Sequence, residues 1–297
     1  MIKIIFLGTS FAIPTAERNH TSLWLSYKGE NILVDCGEGT QRQIRKAKLN
    51  PCKVTRILLT HHHGDHFFGI FGFLQTLSLS GYNKRLFIYG PKGIKRRLDA
   101  ALREFAPKLN FEIEIKEVSG RFFDNEDFYL EAEEMTHGVK CNAYSFVKKG
   151  QIRIDKAKLK NLKGISIENL KKLKQGMNIT HNGKKQLAKN FTFKEEDKKV
   201  SFVYDTSMNT KIAPFVKNSD LLVCESTFHS DLEKEALEKG HLTAGQAGTI
   251  AKKSQSKKLL LTHISQRYEG NLKMLLDDAR KNFKNTQIVN DFDSFEV

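Results

Sequence analysis

Short apolar segments alternate with amphipathic segments along much of the chain. The apolar segments are three or four residues long and mostly bounded by polar residues or glycine, which is typical of buried strands. They cover residues 32–34, 56–59, 86–89, 201–204, 221–223 and 259–261. Residues 94–105 and 272–283 instead repeat apolar side chains at helical spacing. Strands that alternate with helices predict an α/β fold of packed sheet and helix layers.

The composition is that of a folded protein without membrane spans or a disulfide framework. Of the 297 residues, 39% are hydrophobic and 10% aromatic, which is enough for a sizeable core. No apolar run approaches the ~20 residues of a membrane span. The apolar start of the chain is too short for a signal peptide and predicts a first strand. The four cysteines lack Cys-x-x-Cys spacing, which argues against a thiolate zinc site and favours a reducing, cytoplasmic location.

The formal net charge of +15 is concentrated in one segment. Residues 148–189 contain twelve lysines and one arginine against two acidic residues. Such a segment is typical of binding to a polyanion, because phosphates that bind it release counterions; a solvated surface hairpin is the alternative. Its apolar residues are sparse, so we expect a projecting arm without an independent core, inserted between two βα-rich halves. They include Leu159, Leu162, Ile165, Leu170 and Leu173.

Residues 60–66 (THHHGDH), directly after a predicted strand, are the strongest chemical signal in the chain. In an extended segment His61 and His63 project to the same side, so both imidazoles can reach one cation. Asp65 and His66 follow a glycine that permits a tight turn, and they can reach a second cation. Imidazole and carboxylate ligands without a nearby thiolate favour zinc or manganese in an open catalytic site.

Other residues must complete these metal sites, and several suitable side chains share one placement just after an apolar strand. They are Asp35, His137, Asp205, Glu225 and His263. Loops at strand ends are where an α/β scaffold collects catalytic groups. The isolated histidines are interpreted as ordinary polar residues, namely His20, His181 and His229.

The spacing of these histidines and aspartates resembles the signature of the metallo-β-lactamase fold. In detail it is similar to the tRNA-processing branch of that fold, the ribonuclease Z family in its short form. The supporting stretches are residues 6–10 (FLGTS), 33–41 (LVDCGEGTQ), 225–228 (ESTF), 241–243 (HLT) and 261–265 (LTHIS), the last followed by Arg267 and Tyr268. The resemblance implies a single domain over residues 1–297, a four-layer αββα sandwich, with the basic arm inserted at residues 148–199.

The resemblance also implies a metal centre with two zinc ions per subunit, or manganese in their place. His61, His63 and His137 are expected to bind one cation, and Asp65, His66 and His263 the other, with Asp205 as the bridge. Two such cations activate a water and neutralise the phosphodiester. Asp65 is expected to act also as general base. Asp35 is expected to orient a histidine ligand; a turn or capping aspartate is the alternative.

The implied reaction is removal of the 3′ trailer from precursor tRNA. The cut follows the discriminator nucleotide and leaves a 3′-hydroxyl on the tRNA and a 5′-phosphate on the trailer. His241, held by Glu225, is expected to protonate the leaving oxygen; a residue at a helix N-terminus is the alternative for His241. The family also implies a homodimer, and we expect RNA contacts at Arg18, Asn19, Arg267, Lys171, Lys172 and Lys174.

Two features depart from the family. The loop often written Pro-x-Lys-x-Arg-Asn appears as residues 14–19 (PTAERN), with Ala16 in place of the lysine associated with rejecting tRNAs that already carry CCA. The arm lacks the usual Gly-Pro pair, although residues 172–176 (KLKQG) are similar to the stretch that follows it. Two alternative functions remain: a small-molecule hydrolase of the same fold, and an RNA-binding protein with a degenerate metal site.

Overall fold

The computed structural model describes residues 1–105 and 108–297. These residues divide into two compact units. The first comprises Met1–Asp124, Tyr129–Phe146 and Lys199–Val297, and the second comprises Asn125–Phe128 and Val147–Lys198. Among the described residues, no helix combines the length and the apolar character that crossing a membrane requires.

The strands are short, with a few of six to eight residues. In chain order they are β1 (Lys3–Gly8), β2 (Ser22–Tyr27), β3 (Glu30–Val34), β4 (Arg56–Leu58), β5 (Leu86–Gly90), β6 (Ile113–Glu117), β7 (Gly120–Asp124), β8 (Phe128–Met135), β9 (Cys141–Lys148), β10 (Ile152–Ile154), β11 (Ile179–His181), β12 (Lys184–Gln186), β13 (Thr192–Lys194), β14 (Lys198–Val203), β15 (Leu221–Glu225), β16 (Leu259–Thr262), β17 (Thr286–Ile288) and β18 (Ser294–Glu296).

The α-helices lie between these strands along the chain, mostly in the amphipathic segments of the sequence. They are α1 (Thr40–Lys46), α2 (Gly64–Phe67), α3 (Gly69–Leu79), α4 (Ile94–Phe105), α5 (Lys156–Leu159), α6 (Ile167–Lys174), α7 (Ile212–Phe215), α8 (Glu233–Lys239), α9 (Ala244–Lys253) and α10 (Leu272–Arg280). Each of the predicted apolar segments overlaps one of the strands, and the two segments with helical spacing overlap α4 and α10.

The helix α4 differs from expectation at its end. Ile94 and Leu98 are buried as the helical spacing predicts, but the Phe105 side chain is 70% exposed. Phe105 lies in the last turn, where its described aromatic neighbour is the half-buried Phe71, with ring centroids 5.8 Å apart. The helix α10 ends earlier than expected, at Arg280. Phe283, which the helical spacing includes, therefore lies after the end of the helix and is half-buried.

Two seven-stranded sheets form the first unit's framework. The first has the order β18-β1-β2-β3-β4-β5-β6 and the second the order β17-β16-β15-β14-β9-β8-β7. Strands β3 to β6 pair in parallel, as do β14 to β17. The carboxyl ends of parallel neighbours lie on one edge of a sheet, so residues that follow them are brought together.

Helices pack against each of the two sheets around an apolar core. Parallel strands that are covered on both faces are apolar along their length, which explains the uninterrupted apolar segments in the sequence. Across the sandwich, the Tyr144 hydroxyl of β9 donates to the carbonyl oxygen of Leu59 at 2.8 Å. The arrangement confirms the predicted αββα layers. The first core includes Ile57, Phe73, Ile88 and Leu98, and the second includes Leu222, Ile250, Leu261 and Leu275.

The second unit holds the basic segment and has a small core of its own. It contains the antiparallel pairs β10–β13 and β11–β12 together with α5 and α6. The expectation that this segment is too poor in apolar residues for a core is wrong, because the few it has converge from different elements. The buried members are Leu162, Leu173, Ile179, Ala188 and Phe191.

Candidate metal centre and active site

The structure brings all the residues expected to bind metal into one cluster. Within each group, one possible ligand atom per residue lies within 4.8 Å of the others. The first group contains His61, His63, His137 and Asp205, and the second contains Asp65, His66 and His263; Asp205 and His263 also group with His241.

The carboxylate of Asp205 lies between the two groups. Its Oδ2 is 3.4 Å from Nε2 of His61 and 3.7 Å from Nε2 of His137. Its Oδ1 is 3.3 Å from Nε2 of His66 and 3.2 Å from Nε2 of His263. Each oxygen therefore faces a different set of imidazoles, which is the placement that a bridging carboxylate requires.

Pairs of imidazoles direct ring nitrogens at each other. Nε2 of His66 lies 3.1 Å from Nε2 of His263, and Nε2 of His137 lies 3.2 Å from Nδ1 of His63. Two such nitrogens must share either a proton or a cation, because two lone pairs at this distance repel each other. The geometry is thus that of ligands converging on common points.

The donor set fits divalent cations. His61 Nε2 and Asp205 Oδ1 are buried and have no hydrogen-bond partner among the described residues, so both are available to a metal. Burial alone would raise the pKa of Asp205, but the neighbouring imidazoles of His263 and His66 hold it well below its usual range. Nitrogen and oxygen donors without a thiolate suit zinc or manganese.

Asp35 bonds to the nitrogen of the His66 ring that faces away from the cluster. Its Oδ2 lies 2.7 Å from His66 Nδ1, which leaves Nε2 directed at the cluster. Asp35 also accepts hydrogen bonds from the Thr60 amide at 2.7 Å and from the Thr60 hydroxyl at 2.8 Å. Asp35 directly follows β3 in the left-handed region with φ of 57°, a strained conformation for a residue with a side chain. The Asp35 carboxylate therefore bonds to the His66 ring as well as to the backbone at Thr60.

Two other histidines are oriented in the same way. His137 Nδ1 lies 2.9 Å from the carbonyl oxygen of Gly240, and His263 Nδ1 lies 3.0 Å from the Thr227 hydroxyl. His263 directly follows β16 and also has a positive φ, of 59°. With each Nδ1 occupied by a hydrogen bond, Nε2 is the nitrogen left for a metal.

Glu225 and His241 form a buried pair beside the cluster. His241 Nδ1 lies 3.2 Å from Glu225 Oε2, while Glu225 also accepts from the Thr206 amide at 2.8 Å and from the Thr227 hydroxyl at 2.7 Å. Burial alone would lower the pKa of His241, but the Glu225 charge raises it to about 9. His241 lies two residues before Thr243, the N-cap of α9, as the alternative of a residue before a helix N-terminus expects, and its ring also bonds to Glu225.

Asp65 faces both the cluster and the loop after β1. Its Oδ2 lies 3.4 Å from Nε2 of His66 and 3.6 Å from Nε2 of His263, and it accepts a hydrogen bond from the Ala12 amide at 3.0 Å. Burial would raise the pKa of Asp65, but the neighbouring His66 and His263 lower it far below its usual range. Asp65 is therefore an ionised carboxylate at neutral pH.

The expected RNA contact by Arg18 is contradicted by its burial. The Arg18 residue is 2% exposed. Its Nη1 donates to the Thr9 hydroxyl and to the carbonyl oxygen of Val289, both at 2.7 Å, and its Nη2 donates to Asn290 Oδ1 at 2.7 Å. The guanidinium thus ties the loop after β1 to the C-terminal segment and is not available to a phosphate.

The other residues expected to contact RNA lie nearer the surface. The Asn19 side chain is half-buried and donates to the carbonyl oxygen of Glu38 at 2.8 Å. The Arg267 guanidinium lies 5.1 Å from the centre of the Phe228 ring and 3.1 Å from a carboxylate oxygen of Glu235. Three lysines lie on α6 of the second unit: Lys171 and Lys174 are exposed, and Lys172 pairs with Glu168 at 2.7 Å.

Three threonines of the site were not singled out from the sequence. Thr60 and Thr227 lie inside stretches that drew attention for other residues, and Thr206 directly follows Asp205. The one indication of their roles in the sequence is that each lies within two residues of a predicted site residue. Their roles depend on contacts across the fold, such as the bond from Thr227 to Glu225 and the approach of His263 to the same hydroxyl.

Comparisons with known proteins identify the family of this chain. Residues 30–264 match the model of the beta-lactamase superfamily domain. The chain is 39% identical to ribonuclease Z of Nanoarchaeum equitans over 91% of this chain and 85% of the relative. It is 36% identical to ribonuclease Z of Oceanobacillus iheyensis over the whole of both chains.

A solved structure is similar over nearly its whole length. The short form of human tRNase Z superposes with a TM-score of 0.73 and 25% sequence identity, covering 99% of both chains. The fold and the family predicted from the sequence are thereby confirmed. The chain belongs to the ribonuclease Z family of the beta-lactamase superfamily.

Proposed function

We propose that this chain is an endoribonuclease that removes the 3′ trailer from precursor tRNA. The cut follows the discriminator nucleotide and leaves a 3′-hydroxyl on the tRNA and a 5′-phosphate on the trailer. The observation that carries the proposal is the position of Asp205, whose two oxygens face separate sets of imidazoles beside the buried Glu225–His241 pair. Similarity over the full length to relatives named ribonuclease Z supports the same reaction.

The metal centre holds two divalent cations in this proposal, zinc or alternatively manganese. When bound, they lower the pKa of a water and neutralise charge on the scissile phosphate. The three histidines of the first group would hold one cation, the second group would hold the other, and Asp205 would be shared between them. The proposed ligands are His61, His63 and His137 for the first, Asp65, His66 and His263 for the second, and Asp205 for both.

Asp65 accepts the proton of the attacking water in addition to binding metal. Its carboxylate is ionised, and the Ala12 amide holds Oδ2 in place at 3.0 Å. A carboxylate with a fixed orientation keeps the water aligned for attack on the phosphorus. The proposal therefore assigns the general base to a residue that is already within the cluster.

His241 donates a proton to the departing 3′-oxygen. Glu225 binds Nδ1, so Nε2 is the atom that gives up the proton. The His241 ring centroid lies 5.2 Å from that of His137 and 5.7 Å from that of His263, so the donor is next to both ligand groups. A ribose oxygen is a poor leaving group, and protonation at this point lowers the barrier to its departure.

The second unit is the proposed tRNA-binding arm. Its twelve lysines between residues 148 and 189 match a polyphosphate, and a small phosphodiester has no use for such a surface. We further propose a homodimer in which the arm of one subunit holds the tRNA that its partner cuts, as the family implies. The four free thiols fit a reducing compartment, and we place the enzyme in the cytoplasm.

The test uses a precursor tRNA with a 3′ trailer, incubated with and without a chelator. Asp65→Ala should abolish cleavage and leave RNA affinity within about threefold, because Asp65 acts on the reacting water and not on the tRNA body. The matched control is Asp99→Ala, which removes a surface carboxylate on α4 that pairs with Lys95. Metal-loaded protein that leaves the precursor intact but hydrolyses a small phosphodiester would instead establish the small-molecule hydrolase.

A further inference from the structure

The segment after β1 is anchored to the strand end that carries His263. The Ile264 amide donates to the carbonyl oxygen of Thr9 at 2.9 Å, and the Phe11 amide donates to the carbonyl oxygen of Ile264 at 3.0 Å. These two bonds continue strand-like pairing past the end of β16. They fix the backbone of Phe11 next to a residue of the metal cluster.

The Phe11 side chain contacts two imidazoles of the active site. Its ring centroid lies 4.9 Å from that of His241 with an interplanar angle of 79°, and 5.2 Å from that of His263 at 75°. The centroid of the Phe228 ring lies 6.3 Å from that of Phe11. The two contacts with the imidazoles are edge-to-face, an arrangement that aromatic rings prefer. Phe11 is half-buried.

The His241 ring is held by one hydrogen-bonded nitrogen and by the rings packed around it, those of Phe11, His137 and Phe228. Among the described residues, Glu225 is the one hydrogen-bond partner of the His241 ring, at 3.2 and 3.3 Å. A ring held at one nitrogen can still tilt about that bond, which moves the opposite nitrogen. Phe11, packed edge-on against the imidazole, has the shortest centroid distance of the described rings around it, at 4.9 Å, and limits this tilt.

The next residue, Ala12, contacts Asp65. Ala12 donates its amide to Asp65 Oδ2 at 3.0 Å and has φ of 51°, a conformation that costs energy for a residue with a side chain. Two consecutive residues therefore contact the proposed general base and the proposed general acid. A dipeptide whose only task is to close a loop has no need for either contact.

We propose that Phe11 is a positioning residue that holds the His241 imidazole with Nε2 directed at the leaving oxygen. The inference rests on the proposed function, since it assumes that His241 supplies a proton. Phe11 touches no reacting atom and acts through His241, because His263, the other imidazole that it contacts, is already held at Nδ1 by the Thr227 hydroxyl. Its loss should therefore affect the protonation of the leaving group and spare metal binding and attack by water.

The experiment compares two leaving groups. Departure of a ribose 3′-oxygen from precursor tRNA needs a proton, whereas departure of p-nitrophenolate from bis(p-nitrophenyl) phosphate does not. Phe11→Ala should lower kcat on precursor tRNA by about tenfold or more, a part of the ~10²–10⁴-fold effect of general acid catalysis. Hydrolysis of the aryl diester, KM for the tRNA and the zinc content should stay within about threefold of wild type.

Further variants separate positioning from a structural role. Phe11→Tyr keeps the ring and should retain activity on both substrates. In a His241→Ala background, Phe11→Ala should add no further loss, because a positioning residue has nothing left to position. The matched control is Phe105→Ala, which removes a 70% exposed ring and should leave both activities unchanged.

Several outcomes would overturn the inference. Equal losses on both substrates, a loss of zinc, or no loss at all would each show that Phe11 does not act through His241. A loss that adds to that of His241→Ala would show the same. If wild type hydrolyses only small phosphodiesters, the proposed function fails, and aryl diesters with increasingly basic leaving groups decide the role of Phe11. A deficit of Phe11→Ala that grows with leaving-group basicity supports it, and a constant ratio contradicts it.

Discussion

The exchange of Asp35 for asparagine isolates the orientation of a metal ligand. Asp35 is fully buried and accepts hydrogen bonds from the Thr60 amide, the Thr60 hydroxyl and His66 Nδ1, all between 2.7 and 2.8 Å. Asparagine has the same shape but replaces one accepting oxygen with an amide nitrogen. That nitrogen must face the Thr60 amide or the His66 ring, both of which are donors, so one buried hydrogen bond is lost.

The expected magnitude follows from this single lost bond. Leaving a buried donor unsatisfied costs about 1–3 kcal/mol. Loss of a partner that orients a metal ligand lowers metal affinity by about 10–100-fold, which corresponds to ~1.4–2.8 kcal/mol. The two figures agree, so Asp35→Asn should fold and should bind zinc about 10–100-fold more weakly than wild type.

The assay is competition for zinc against a chromophoric chelator, with thermal unfolding measured on metal-free and metal-loaded protein. The matched control is Asp99→Asn on α4, whose exposed pair with Lys95 is worth little. An Asp35→Asn variant that binds zinc as tightly as wild type would refute the reasoning, because the His66 ring would then need no partner at Nδ1.

Three further predictions concern other parts of the molecule. Glu225→Gln removes the charge that raises the pKa of His241, so the alkaline limb of the kcat profile on precursor tRNA should move to lower pH; an unmoved limb would contradict a proton donor at this position. Arg18→Met should lower the free energy of unfolding by about 2–4 kcal/mol in urea titrations, because three hydrogen bonds of a buried guanidinium are lost, whereas unchanged stability would contradict a structural role. Neutralising three lysines of α6 should weaken binding to precursor tRNA and reduce its salt dependence while sparing a small phosphodiester, and equal binding at every salt concentration would exclude α6 from the interface. The exchanges are Lys171→Gln, Lys172→Gln and Lys174→Gln.

The metal cluster could be predicted because its residues can be recognised from their immediate neighbours in the sequence. Asp35 and His263 directly follow apolar strands, and residues 60–66 place several ligands within one loop. Parallel neighbours such as β3 and β4, or β15 and β16, end on the same edge of a sheet. A sequence that shows both the strands and the side chains after them therefore predicts that these side chains meet.

The contacts that sequence reasoning missed depend on distant segments. Arg18 is buried because its partners Val289 and Asn290 arrive from the other end of the chain, and no local pattern reports this. The role of Thr227 depends likewise on the packing of β15 against β16. Counting apolar residues also failed for the second unit, where Leu173 of α6, Ile179 of β11 and others converge from different elements.

The most direct test of the central claim is to map the ends of the products formed from a trailered precursor tRNA. The account predicts one chelator-sensitive cut after the discriminator nucleotide, with a 3′-hydroxyl on the tRNA and a 5′-phosphate on the trailer. A substrate that ends in CCA, run in parallel, reports on the exposed Ala16 that replaces the family's lysine. Cuts scattered along the trailer, or hydrolysis confined to small phosphodiesters, would contradict the account.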